Sequence, residues 1–408
     1  MKKYLNEYIL FFILPVFELG RAVIHYRAPW AKNIVWLFVS FFGFTLIGYS
    51  QSMDQYAYAA QLNHFHSIAI SFSEFVSTLY KVNGPQPPDL FEPFLMYLVS
   101  RFTGDSRIFF AIVGIVFGYF YSRNIWIIIE QTNNKLKRIV LPFFFSLFFV
   151  IPIWEINGVR FFTAAQVFLY GILSYLIYKN KKHLIFVFLA GFFHFSFFAV
   201  VPIVIVYIIF ANRTTLYFIF FLVSFGFSQI NFKLFQQFIN YLPSAFQLKS
   251  MFYLSEHRAL EIAEIAKERS LLNIITLGSI RYIILILTVL IYFTYRKKSI
   301  KKFCCTNLFH FALLFLGTFN ILEFIPSLPR FVAIGNFIII GFFIIHFQNF
   351  YVNSKFKFVV NLTLPFVYLY IIGKIYIGTQ YFGIFTFTNP LIAMWGPGNA
   401  ALFKYIGF

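Results

Sequence analysis

The chain has 408 residues, 60% hydrophobic and 12% charged, a balance with too few polar groups to cover a water-soluble surface, so lipid must solvate most of it. Its formal net charge of +19 would suggest nucleic acid in a soluble domain. Here the basic residues form short clusters between apolar runs, as positive-inside bias produces, and no nucleic-acid partner is expected.

Lys2 and Lys3 precede an apolar run from Tyr8 to Phe17, but Glu18 and Arg21 follow without a small-residue cleavage site. This N-terminus imitates a secretory signal and reads as an uncleaved first membrane helix. Further apolar runs cover Ile34 to Ser50, Ile108 to Ile129, Leu216 to Ile230, Leu271 to Tyr295, Phe331 to Phe350 and Phe358 to Ile377. Their length excludes a β-barrel, whose strands would alternate over about ten residues. The chain therefore reads as all-α, a polytopic transmembrane bundle of about 10–12 membrane segments. With no Gly/Ser linker and no long polar segment, residues 1–408 form a single integral membrane domain.

Basic clusters at Arg21/Arg27/Lys32, Lys135/Lys137/Arg138, Lys179/Lys181/Lys182, Arg296 to Lys302 and Lys355/Lys357 belong in the cytoplasm. Residues 51–106, 155–160, 231–270 and 326–330 then fall on the outer face, together with the N-terminus. Residues 51–106 are a first long outer loop and 231–270 a second. In the second, Ser255 to Ser270 reads SEHRALEIAEIAKERS, an amphipathic surface helix resting on the bundle. The segment from Leu184 to Phe210 must begin and end in the cytoplasm but is too short for two full spans. It predicts a re-entrant hairpin turning near His194.

The 26 Tyr and 64 Phe exceed what interfacial belts need, so many pack between helices or line a cavity. The only cysteines, Cys304 and Cys305, are adjacent and supply neither a disulfide nor a metal set. Walker, H-E-x-x-H and G-x-S-x-G patterns are absent, which withdraws support from ATP-driven transport, zinc proteolysis and α/β-hydrolase chemistry.

A charge at bilayer depth costs about 2.5–3.5 kcal/mol, so each needs a partner or a task. In WEINGVRFFTAAQ, Glu155, Asn157 and Arg160 occupy a short outer turn and Arg160 opens the next helix. LEFIPSLPRF repeats the order with Glu323 and Arg330. Singly, each arginine suits a salt bridge to its own acid, Glu155 to Arg160 or Glu323 to Arg330, as well as it suits a ligand. Two arginines at one level favour an anion site. In AGFFHFSFF, His194 and Ser196 are the only polar side chains; they are either hydrogen-bonded packing or the lining of a cavity. The first outer loop carries MDQYAY, with Asp54, Tyr56 and Tyr58, and PPDLFEPFLMYL, with Asp89, Glu92 and Pro93. Carboxylates with aromatics hold sugars, although Asp and Pro are also ordinary turn residues. Arg281 interrupts an apolar run and has no assigned partner.

At these residues the sequence resembles the EpsG-like, Wzy-type family of membrane polysaccharide polymerases, which also acts in O-antigen and capsule synthesis. The family's D-x-x-x-Y and E-P elements match Asp54 to Tyr58 and Glu92-Pro93. Its N-x-x-R, Lys-rich turn and H-x-S match Asn157 to Arg160, Lys179 to Lys182 and His194-Phe195-Ser196, and a late R-F matches Arg330-Phe331. The chain departs at Phe161, where family members often carry Gln. The resemblance implies a GT-C-like glycosyltransferase of the bacterial cytoplasmic membrane, polymerising undecaprenyl-diphosphate-linked oligosaccharides outside it.

On that reading Arg160 and Arg330 clamp the departing lipid diphosphate, whose oxygens suit a planar guanidinium fork. Asn157, Tyr58 and Ser196 also bind substrate. Glu92 is the preferred base, with His194 and Asp54 as alternatives. No metal and no cofactor are expected, since the arginines neutralise the developing charge; a chain-length regulator is a possible partner. A lipid-linked oligosaccharide flippase, an O-antigen ligase and a membrane O-acyltransferase remain alternatives.

Overall fold

Lipid offers no hydrogen bonds, so apolar runs of this length must close their own, and they do so as helices. The computed structural model describes residues 4–81, 89–132, 135–226, 271–297, 305–323, 328–349, 354–396 and 398–406, and among these every regular element is a helix. The second outer loop, with the helix expected over Ser255 to Ser270, lies outside the described residues.

Two short helices, α1 (Leu5–Ile13) and α2 (Pro15–Ile24), lead into α3 (Ala31–Thr45). The segment expected as the first outer loop contains α4 (Asp54–Ser67), α5 (Phe72–Lys81) and α6 (Phe91–Ser100). Then come α7 (Ser106–Ile129), α8 (Leu141–Val150), α9 (Arg160–Tyr178), α10 (Leu184–Phe193), α11 (Val201–Ile209) and α12 (Thr214–Ser224). After the undescribed stretch follow α13 (Leu271–Lys297), α14 (Thr306–Ile321), α15 (Pro329–Asn349), α16 (Ser354–Gly378), α17 (Pro390–Trp395) and α18 (Phe403–Ile406). Among the described residues, five helical segments are long and apolar enough to cross a membrane: α7, α8 with its extension to Gly158, α9, α15 and α16. Several others, α3, α12 and α14 among them, are apolar but shorter. The protein is a multi-pass membrane protein.

α3 packs against α7 down to backbone contact, and the cause is glycine. A Cβ on Gly43 would lie 2.3 Å from the carbonyl oxygen of Phe110, and one on Gly114 2.8 Å from that of Val39. Small residues let membrane helices approach to backbone contact, where dispersion replaces the missing hydrophobic drive. α15 is the most enclosed long helix and α16 the most peripheral. Ring contacts such as Phe143 on Phe347, at 5.5 Å, tie α8 to α15.

Cross-links fix which helix ends lie together. Lys32 meets Glu130 at 3.8 Å. The Lys137 backbone N–H donates to Gln348 Oε1 at 3.0 Å, and Asn307 Nδ2 donates to the carbonyl of Leu176 at 3.1 Å. The ends bearing Lys32, Lys137 and the Lys179 turn thus gather together. Asp54, Asp89, Glu92, Arg160, His194 and Arg330 gather at the other end. There the segment after α16 folds over the end of α3, with the Ile47 N–H donating to the carbonyl of Tyr381 and Thr45 and Thr386 sharing a 2.7 Å hydroxyl contact.

Two expectations meet the structure differently. The segment from Leu184 breaks at His194, whose backbone is extended (φ −150°, ψ 118°). It returns to the basic end, where the Tyr207 hydroxyl donates to the carbonyl of Asn307 at 3.3 Å. The hairpin is present, with α10 packed on α9 and α11 on α14. The N-terminus, by contrast, is not one membrane helix. α1 and α2 break at Leu14–Pro15 and fold against each other, so that Arg21 reaches Glu7 at 2.8 Å across the bend. Asn33 Nδ2 donates to the Tyr8 hydroxyl at 3.4 Å. The start of α1 therefore lies near the basic end of the bundle, beside Arg21 and Asn33. The proline lacks the N–H that would have continued α1.

Candidate functional site

The turn that delivers Arg160 is strained. Ile153–Gly158 forms a 3₁₀ turn, and Val159 then takes φ 34°, ψ −61°, a left-handed conformation that a β-branched residue adopts only when its surroundings impose it. Arg160 is consequently the first residue of α9, where the helix dipole opposes a cation. It needs an anion, and Asp89 supplies one: Arg160 Nη1 donates to Asp89 Oδ2 at 3.0 Å. The other carboxylate oxygen of Asp89 accepts the Phe195 backbone N–H at 2.8 Å. This side chain, only 3% exposed, pins the hairpin apex to α9. The Leu90 N–H donates to the carbonyl of Phe192, and Phe91 stacks on Phe193 at 4.5 Å, completing the seal.

Glu92 lies in the first turn of α6, a helix too short to cross a membrane. It is buried, and its Oε1 has no hydrogen-bond partner among the described residues. Burial pushes its carboxyl up to about 7, opposed by the attraction of Arg160 and assisted by repulsion from Asp89. Tyr58, from α4, is buried and interacts with Arg160. Burial pushes its phenol up to about 12, leaving a neutral donor at physiological pH.

His194 Nδ1 accepts the Ser196 backbone N–H at 3.3 Å and lies 2.7 Å from Ser196 Oγ. A ring nitrogen that accepts from a backbone amide carries no proton, so in the neutral ring Nε2 is the donor. This geometry suits His194 to donating a hydrogen bond rather than to abstracting a proton. The ring meets Phe161 edge-on at 5.3 Å, and Arg330 lies 5.7 Å over the same Phe161. The residue at which the chain departs from the family pattern is thus an aromatic platform between histidine and arginine.

Neither of the ion pairs weighed from sequence forms. Arg160 pairs with Asp89 instead of Glu155, and Glu323 pairs with Arg281 at 2.6 Å instead of Arg330. Arg281 thereby gains the partner that its sequence neighbours lack. Glu155 has Lys374 and Arg330 as the cations that act on it electrostatically. Asn157 Oδ1 accepts the Gln55 backbone N–H at 3.1 Å and so caps α4 from a distance. Asp54, in the first turn of α4, acts on both Tyr58 and Tyr381. The structure therefore joins Tyr58, Glu92 and Arg160 around Asp89, and His194, Ser196 and Arg330 around Phe161. Sequence reasoning missed the role of Asp89; the signal was a second carboxylate three residues before Glu92, read there as a turn residue.

A multi-pass helical bundle with a buried acid, arginines and a histidine at one end defines a class of membrane protein. Residues 33–389, nearly the whole chain, match the EpsG family, and the chain belongs to that family, one of Wzy-like polysaccharide polymerases. Comparison with curated proteins and with solved structures gives no match.

Proposed function

We propose that the protein is a membrane glycosyltransferase that elongates a polysaccharide by transferring a lipid-diphosphate-linked glycan onto a new lipid-linked repeat unit, at the outer face of a bacterial cytoplasmic membrane. Glu92 takes the proton from an acceptor hydroxyl as the oxygen bonds to the donor's anomeric carbon. The bond from that carbon to the diphosphate oxygen breaks, and the lipid diphosphate leaves with the electron pair. A carboxyl near 7 is matched to this exchange at neutral pH, since it is substantially ionised yet basic enough to accept a proton.

Arg160 is 40% exposed at its side chain, so guanidinium donors beyond the one spent on Asp89 can face the charge that develops on the leaving group. His194 donates through Nε2. The observation that carries this reading is Glu92 itself: a buried acid with an unmatched oxygen beside the Arg160–Asp89 pair, in a chain of a polymerase family. The test supplies purified protein with lipid-linked repeat units and follows product length on a gel. Glu92→Gln, isosteric but unable to take the proton, is expected to leave only unextended repeat units. Normal ladders from a folded Glu92→Gln protein would remove the base from this mechanism.

A further inference from the structure

The spanning helix α7 carries two charges, and they are compensated differently. Arg107, in its first turn, bonds the carboxylate of Asp105. Arg123 lies towards the basic end, about 9 Å along the axis from the close of the helix at Ile129. At that depth a cation needs a partner or a task. Arg123 Nη1 donates to Ser122 Oγ at 2.8 Å and Nη2 to Asn33 Oδ1 at 2.8 Å, both neutral acceptors. The guanidinium lies 4.9 Å over the Trp36 ring and 4.4 Å over that of Tyr119. The other groups that act on it electrostatically are the phenols of Tyr8, Tyr119 and Tyr170. Arg21, Arg107, Arg160 and Arg281 each reach a carboxylate, whereas among the described residues none comes within ion-pair distance of Arg123.

This arginine is half-buried, and it faces the lipid side of the bundle. Tyr119 and Ile115, one and two turns away on the same face of α7, are 37% and 45% exposed. Trp36 closes the α3 flank by donating its ring N–H to the carbonyl of Ile115 at 2.8 Å. On the other flank Phe120 meets Tyr170 edge-on at 5.4 Å, and Tyr170 meets His183 at 5.5 Å. Lys181 and Lys182, both exposed, share the turn of His183 and add positive charge there. An uncompensated guanidinium ringed by phenols thus opens onto an apolar track. A free anion matches the first feature and not the second; an anionic amphiphile matches both. We propose that Arg123 binds the phosphate of an anionic glycerophospholipid in the leaflet at the basic end, with an acyl chain lying along Tyr119 and Ile115. The rings of Trp36 and Tyr119 hold the guanidinium flat for the phosphate oxygens. A zwitterionic headgroup brings its own ammonium, which Lys181 and Lys182 repel, so the net negative headgroup is preferred. The site lies at the opposite end of the bundle from Glu92 and Arg160 and does not depend on glycosyl transfer.

The probes are dioleoyl phosphatidylglycerol and dioleoyl phosphatidylcholine, which share their chains, titrated onto the full chain in detergent micelles and counted by native mass spectrometry. The wild type is expected to bind phosphatidylglycerol about tenfold more tightly, the worth of one charge-assisted contact. Arg123→Met should bring the two lipids level. Lys357→Met removes the same charge from α16, which does not pack on α7, and should keep the wild-type preference. Equal loss from Lys357→Met would mean that diffuse positive charge selects the lipid, and overturns the proposal. So does a folded Arg123→Met protein that melts lower yet keeps the preference, because the arginine then only ties Asn33 to α7. Inorganic phosphate at millimolar concentration should not displace phosphatidylglycerol; displacement would make this a site for a free anion. The wild-type comparison needs no variant, so equal affinity for the two lipids overturns the proposal whatever Arg123→Met does to folding.

Discussion

Replacing Asp89 with alanine strips Arg160 of the only carboxylate that bonds it directly among the described residues, and removes the 2.8 Å acceptor of the Phe195 N–H. Removing one partner of a fully buried ion pair costs about 3–5 kcal/mol, because the other charge is left uncompensated. Asp89 meets that condition at 3% exposure, but the Arg160 side chain is 40% exposed and water will screen it. The ionic part is therefore discounted to about 1–2 kcal/mol. The stranded amide adds about 1 kcal/mol more. Asp89→Ala should thus lose about 2–3 kcal/mol, and Asp89→Asn, which keeps an acceptor for Phe195, about 1–2 kcal/mol. Unfolding in SDS-containing mixed micelles measures both. The pair is coupled, so Asp89→Ala added to Arg160→Met should cost less than Asp89→Ala alone. If Asp89→Ala unfolds within about 0.5 kcal/mol of the wild type, the side chain does not pin the hairpin and the reasoning fails.

Glu92 is held above its ordinary value, so between about 4.5 and about 7 the folded chain binds a proton that the unfolded chain has released. Stability therefore falls as pH rises through that window, while elongation rises with ionisation of the base; Glu92→Gln should flatten the stability change, and an unaltered profile would reassign it. At Arg160 and Arg330, lysine keeps the charge but loses the planar fork, so each Arg→Lys protein should elongate poorly at near-wild-type stability, and normal product lengths from both would reject bidentate phosphate binding. Cysteines placed at Ser52 and Ser354, after Cys304 and Cys305 are replaced by serine, should divide by side: an impermeant reagent added to intact cells labels position 52 and not 354, and labelling of 354 would invert the orientation.

The course of the backbone was legible because lipid simplifies the problem. Apolar length reports helices, and basic clusters report which ends lie together; the two combine to demand a hairpin at His194, where the helix does break. The N-terminal bend escaped because Pro15 at the start of an apolar run suits both a helix continuing into the membrane and a helix beginning anew. Side-chain partners were legible only as residue types. Glu155 and Glu323 were the near acids in sequence, yet the carboxylates that bond Arg160 and Arg281 come from segments 71 and 42 residues away.

The same distant pairing explains why the site can be irregular at all. Extended backbone at His194 and left-handed backbone at Val159 would be unfavourable in lipid, because neither continues a helix. Each sits beside Asp89 or its neighbours: the carboxylate accepts the amide that follows His194, and it binds the arginine that follows Val159. One buried acid, just before α6, therefore stabilises both departures from helical geometry. It also sets their relative position, which brings the His194 ring to Phe161. The strained turn and the broken hairpin are thus coupled elements. A change that releases Asp89 will move His194 and Arg160 together, so an effect on either residue's chemistry cannot be separated from the anchoring of the other without the double substitution.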